Sequence, residues 1–242
     1  MHHATLERTQ QDATPRVDGH LNVYFALTAL AVTVAAPART THLAAAAWFL
    51  ALGYDAAGRQ YLRFLKVPTY FLVPSLAVVL AFTAGDPIAA LGPVTVTRTG
   101  VDRVVTTGLR SVASLSVLGY LVVTTPVPAL FAALKRLRLP SFVVEFALLT
   151  YRGIQLLLAE SERLHVAAAA RLGFRNRRTT FRTTKLLSFS LFLKTLSRAD
   201  AMEQSMRARG YDGKMPVPSV ENRGHGYAVA ALACLVLVGW LP

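Results

Sequence analysis

Three candidate membrane spans in this chain carry no formal charge over 16 or more residues: 20–36, 67–84 and 226–241. A fourth, 104–125, carries only Arg110. These runs restrict the possible folds more than any other feature. The hydrocarbon core of a bilayer is ~30 Å thick and takes roughly 20 helical residues, with about 17–25 tolerated. All four stretches reach that length or fall just short of it, and they read as membrane spans. A fifth apolar stretch, 41–53, has only 13 residues. It fits a short, tilted or re-entrant helix, or a partner of the first span across the 37–40 turn, and it counts as a span. The first 19 residues are polar, and no small-residue cleavage site follows the first apolar stretch, so no signal peptide is expected.

Whole-chain composition agrees. Hydrophobic residues make up 53%, charged residues 16%, and the mean hydropathy is +0.42. Soluble domains carry about 25% charged residues. An ordinary soluble enzyme and a disordered chain are therefore both excluded. The single cysteine, Cys234, rules out an intrachain disulfide and any multi-cysteine zinc or iron–sulfur site. The remaining classes are an integral membrane protein and a basic nucleic-acid binder, because the formal net charge is +13.

The positions of the cations separate the two. With five spans and the N-terminus inside, the inner segments are 1–19, 54–66 and 126–225. They hold 2, 3 and 17 of the 26 Lys+Arg. The outer side keeps Arg39, Arg98 and Arg103. Cytoplasmic loops carry the excess of Lys and Arg, so the N-terminus is predicted inside and the C-terminus outside. The chain is expected to divide into a polar tail (1–19), a transmembrane part (20–125), a cytoplasmic region (126–225) and a last span (226–242).

The cytoplasmic region has two long helical segments. Pro140-Ser141 offers a start for a helix reaching about Leu172. A second helix is predicted from about Thr183 to Arg209, where Gly210 supplies a cap and Pro216 and Pro218 block continuation. Residues 141–158 are apolar enough to invite a span. Glu145 and Arg152 lie on nearly the same face of that segment, however, and charges inside a span are costly. A helix buried against protein at the inner membrane surface is the preferred reading.

Both helices end alike. Ala167 to Ala170 precede Arg171, Leu172 and Gly173, and Ala208 precedes Arg209 and Gly210. Small residues let another backbone approach closely, and a guanidinium offers five donors in a planar fork. A stripe of Leu193, Leu196, Ala199, Met202 and Met206 steps along the second helix, and Met suits surfaces that re-pack. The two ends could thus plug grooves on a partner protein. They equally fit ordinary helix termini, where the dipole favours Arg and Gly is the usual cap.

Catalysis has little support. There is no GxxxxGK[ST] motif to bind ATP. Glu160 and Glu162 point to different faces of a helix, and Asp200 and Glu203 suit pairing with Arg198 and Arg207 at helical spacing. No catalytic residue, cofactor or metal site is assigned. Met1-His2-His3 resembles a terminal chelator, but terminal residues fray. Nucleic-acid binding is disfavoured, because juxtamembrane cations meet lipid headgroups routinely. Arg175-Asn176-Arg177-Arg178 is the best local patch for it.

Four segments carry a family resemblance: Leu149-Thr150-Tyr151-Arg152, Glu160-Ser161-Glu162-Arg163, Ala170-Arg171 and Met206-Arg207-Ala208-Arg209-Gly210-Tyr211-Asp212-Gly213. They look like the transmembrane T component of energy-coupling factor (ECF) transporters, in the cobalt/nickel branch. The likeness covers roughly residues 95–215, including TRTGVDRVVTTGLRS and TTPVPALFAALKRLRLP. It implies an all-α, polytopic membrane bundle with two long cytoplasmic coupling helices. It also implies a non-catalytic inner-membrane scaffold between two ABC-type ATPase subunits and a metal-specific substrate-binding membrane subunit. Ala-Arg-Gly motifs at the coupling-helix ends would enter grooves of the ATPases. The second motif maps onto Ala208, Arg209 and Gly210. The first maps onto Ala170 and Arg171, with Leu172 where the family has glycine. The Asp-Pro-Arg-like start of the first span is Asp18-Gly19-His20 here. A T component for a vitamin is the alternative.

Overall fold

The computed structural model describes residues 10, 13, 16–91, 94–137, 139–211 and 224–240. Met1-His2-His3, Asp212, Gly213, Pro216 and Pro218 lie outside them. Eight helices account for nearly all of the described chain: α1 (His20–Ala35), α2 (Arg39–Ala57), α3 (Arg59–Phe82), α4 (Arg98–Thr124), α5 (Val127–Arg136), α6 (Ser141–Ala170), α7 (Arg177–Ala208) and α8 (His225–Trp240). A short antiparallel hairpin, β1 (Pro87–Leu91) with β2 (Val94–Thr97), joins α3 to α4. The all-α class expected from the sequence holds. The chain divides into two compact units, residues 1–133 with 218–242, and residues 134–217.

In the first unit α4 packs against α1, α2 and α3, and α8 packs against α1 and α2. The 13-residue stretch at 41–53 belongs to a helix of 19 residues, about 28 Å long at 1.5 Å per residue. Its buried face is Thr41, His42, Ala45, Ala46, Phe49, Leu52, Gly53 and Ala56. Thr41, His42 and the polar ends lowered its apparent apolarity. The structure also corrects the inner loop expected at 54–66. That segment is the end of α2, a one-residue corner at Gly58 and the first turns of α3. Gly58 has φ 57° and ψ −133°, a backbone that glycine adopts far more readily than an L-residue. Arg59, Arg63 and Lys66 therefore ride on a helix.

The core is aromatic at its centre. Phe25 stacks on Phe49 at 5.5 Å between ring centres, and Tyr120 meets both edge-on at 6.5 and 5.6 Å. Tyr61 is fully buried, and its hydroxyl lies 2.9 Å from the Ser116 carbonyl and 3.2 Å from that of Phe49. Its ring occupies space left by Gly53, where a Cβ would come within 2.4 Å of it. Asn22, also buried, donates to the hydroxyls of Thr124 (2.9 Å) and Thr125 (3.0 Å). Ion pairs Arg16–Asp55 and Arg39–Asp102 tie the helix ends together.

Three helices, α3, α4 and α6, are long and apolar enough to cross a membrane, and α1 and α8 are shorter apolar helices. On α3 only Tyr61 and Leu65 are buried. Val67, Tyr70, Phe71, Val73, Val78 and Phe82 all face outward. In water such a face would be unfavourable, whereas in lipid it is the ordinary state.

The second unit is built on α6 and α7. The described residues leave the apolar part of α6 largely uncovered: only Val144 is buried, while Phe142, Phe146, Ile154 and Leu156 are open. The structure corrects the start of the second helix: α7 begins at Arg177, six residues before Thr183. Asn176 caps it reciprocally with Thr179, and such a capping box satisfies two otherwise orphaned N–H groups.

Candidate functional site

The ends of α6 and α7 carry the residues singled out in the sequence. At α6 the last helical residue is Ala170, and Arg171 is the C-cap with φ −92° and ψ 16°. Leu172 follows with φ 59°. The Leu172 N–H donates to Ala169 O (3.0 Å), and the Gly173 N–H donates to Ala168 O (2.9 Å). At α7 the last helical residue is Ala208, and Arg209 is the C-cap with φ −92° and ψ 9°. Gly210 follows with φ 66°. The Gly210 N–H donates to Arg207 O (3.0 Å), and the Tyr211 N–H donates to Met206 O (3.0 Å). Both ends are Schellman motifs, in which the chain turns left-handed once and two N–H groups close on carbonyls of the last turn.

The first end is thus built like the second despite Leu172. A left-handed leucine costs about 1–2 kcal/mol. The glycine sits one place later for a steric reason. A Cβ on Gly173 would lie 2.9 Å from Thr183 Cγ2 and Oγ1 and 3.0 Å from Ala168 O. Thr183 also donates to the Gly173 carbonyl at 2.9 Å. The tight approach of Thr183 therefore requires glycine at 173.

Arg171 and Arg209 are exposed, and neither forms an ion pair among the described residues. Ala167, Ala169 and Ala170 are exposed as well. This leaves the last turn of α6 smooth and open around Arg171.

Behind these ends, an ion pair links α6 to α7. Glu160 accepts from Lys194, and Arg163 approaches Glu160 at 3.8 Å. The His165 and Phe174 rings meet at 4.6 Å. The apolar stretch of α6 ends at Leu158, so Glu160 lies past it. The hydrogen bond from Lys194 holds the Glu160 carboxyl below its ordinary range, and the charges of Lys194, Arg163 and Arg198 add to this. A cleft of about 800 Å³ between the two helices is lined by Leu149, Leu156, Leu193, Ala199, Met202 and Met206, among others.

The predicted stripe is only partly in that cleft. Leu196 is exposed and does not line it. Steps of three residues turn 300°, so a 193–196–199 stripe slips 60° around the helix at each step. Of the expected ion pairs, Glu203–Arg207 forms. Asp200 has no ion pair with Arg198 among the described residues. Sequence reasoning missed Asn176, Thr183 and Lys194. The spacing Asn176-x-x-Thr179 was a readable cap signal. The pairing of Lys194 with Glu160 and the approach of Thr183 to Gly173 depend on how the helices cross, which no local pattern shows.

Comparison with known proteins supplies the family. Residues 10–218 match a family model described as CbiQ, cobalt transport protein. The cobalt transport protein CbiQ of Rhodobacter capsulatus is 33% identical, over 79% of this chain and 76% of that protein. The cobalt transport protein CbiQ of Salmonella typhimurium is 28% identical, over 64% of this chain and 72% of that protein. A fused cobalt transport protein, CbiMQ, of Methanocorpusculum labreanum is 28% identical over 92% of this chain. The chain spans 38% of that fused protein's length. The long apolar helices agree with a multi-pass membrane component of a transporter. Since the family model covers most of its length, and a third of the aligned residues are shared with one member, this chain belongs to the CbiQ family of cobalt transport proteins.

Proposed function

We propose that this chain is the coupling subunit of an ECF-type importer for cobalt, or for the chemically similar nickel ion. In this reading Arg171 and Arg209, with Ala170, Ala208 and Gly210, seat in grooves of two ABC-type ATPase subunits. A separate substrate-binding membrane subunit takes the metal. The N-terminus lies on the cytoplasmic side, residues 20–125 and 226–242 hold the membrane-embedded helices, and the 126–225 region is the coupling region. The observation that carries the reading is the matching pair of arginine-capped helix ends. Both are exposed, and neither arginine is neutralised within the described chain.

The physics of transmission is simple. ATP closes an ATPase dimer and hydrolysis reopens it, so grooves that move must drag whatever is docked in them. Two guanidinium groups bonded to groove carboxylates give short, charge-assisted contacts. Long helices transmit the movement as levers: α6 has 30 residues and α7 has 32, or about 45 and 48 Å. The cobalt transport function named for the R. capsulatus and S. typhimurium relatives supports the metal over a vitamin. The fused M. labreanum protein joins a CbiM part to the CbiQ one. We read that part as the counterpart of the separate substrate-binding subunit.

Arg209→Glu tests the reading. Removing one partner of a desolvated charge pair costs on the order of 2–5 kcal/mol, and reversing its sign costs more. The variant should insert in the membrane normally, lose co-purifying ATPase and lose metal uptake. Full ATPase recovery with that variant would refute the docking role.

A further inference from the structure

The two arginine-capped ends differ at one position that the backbone makes equivalent. After Arg209 comes Gly210, with φ 66° and open space around its Cα. After Arg171 comes Leu172, with φ 59° and 67% of its surface exposed. For this chain alone, leucine is the wrong residue there. It is strained by its left-handed backbone and leaves an apolar side chain two-thirds exposed. The cap does not need that side chain, because both of its hydrogen bonds are backbone to backbone. A glycine would keep the cap and remove both penalties. Strain held at a largely exposed position points to a functional constraint.

We propose that Leu172 is an apolar anchor that enters the same ATPase groove as Arg171. The groove at the first end then has an apolar wall beside its carboxylates, while the groove at the second end has only to bind a guanidinium. This rests on the docking role proposed above. It makes the two ends of the scaffold unequal. Even against two identical ATPases, the α6 end binds more tightly than its leucine-free counterpart would.

The test uses the full chain co-expressed with an ABC-type ATPase, comparing Leu172→Gly, Leu172→Ala, Leu172→Met and Arg171→Glu. ATPase retained on the purified chain and the thermal midpoint of the chain alone are the two readouts. Leu172→Gly should raise the midpoint by about 2–4 °C, since it relieves the backbone. The same variant should weaken ATPase binding by about tenfold or more, the value of burying one leucine. Leu172→Ala keeps the strain, so it should weaken binding without the thermal gain. Leu172→Met, of similar volume, should bind close to wild type. If Leu172 serves only the cap, the glycine variant has the same thermal gain but binds ATPase as well as before, which overturns the anchor. If Arg171→Glu abolishes binding and the Gly and Ala variants bind normally, the anchor is refuted and docking stands. If Arg171→Glu also binds normally, both are refuted.

Discussion

Arg171 and Arg209 occupy the same structural position on two different helices. Each is a C-cap with φ −92°, each follows an alanine, and each precedes a left-handed residue. Since the local backbone agrees, the two guanidinium groups leave their helices from equivalent frames. A partner with two copies of one groove could receive both.

The second cap depends on Gly210. Its φ is 66°, and a Cβ there would meet no atom within 4 Å. Gly210→Ala should therefore act through the backbone alone, at about 1–2 kcal/mol. Amide exchange at Tyr211, whose N–H bonds to Met206 O, should speed up in that variant. The amides of α6 should be unaffected.

Gly53 makes room for a tyrosine. Gly53→Ala places a methyl 2.4 Å from the Tyr61 ring, in a core where overpacking costs about 1–3 kcal/mol. Thermal unfolding in detergent should shift down accordingly. Because the clash is with the ring, a Tyr61→Leu background should shrink the effect of Gly53→Ala. Equal effects in both backgrounds would mean the ring is not what the methyl meets.

Asn22 bridges α1 to the end of α4. Its amide donates to Thr124 and Thr125, and Thr124 already donates to Tyr120 O. The threonine hydroxyl is thus committed as an acceptor towards Asn22. Buried hydrogen bonds between membrane helices contribute about 0.6 kcal/mol on average and up to ~1.7. Asn22→Ala should destabilise within that range. Asn22→Asp should be worse, because a carboxylate cannot donate. Thermal midpoints in one detergent would rank the three proteins.

The contact between α6 and α7 should weaken in acid. Lys194 depresses the Glu160 pKa in the folded protein. Stability from such a group is fully present above its unfolded value, about 4.3 for Glu, and is lost as pH falls through the folded value. Amide exchange in both helices, corrected for intrinsic rates, should rise as the pH drops below about 4. Lys194→Met should remove that pH dependence. Since the pair is exposed on the lysine side, added salt should weaken it as well.

The sequence by itself picked out the apolar runs that became α1, α3, α4 and α8, because long runs with little or no charge have no comfortable place in water. It also determined the cation bias and the two arginine-bearing helix ends, since alanine, arginine and glycine each have strong local preferences at a terminus. Tertiary structure decided what local preference cannot reach. The segment at 41–53 is the middle of a 19-residue helix, with one face from Thr41 to Ala56 buried in the core. The loop expected at 54–66 became a corner at Gly58. Position 173 has to be glycine because Thr183, ten residues on and in α7, fills the space a Cβ would take. Such outcomes depend on which surfaces meet, and that is set by packing across the chain rather than by neighbours along it.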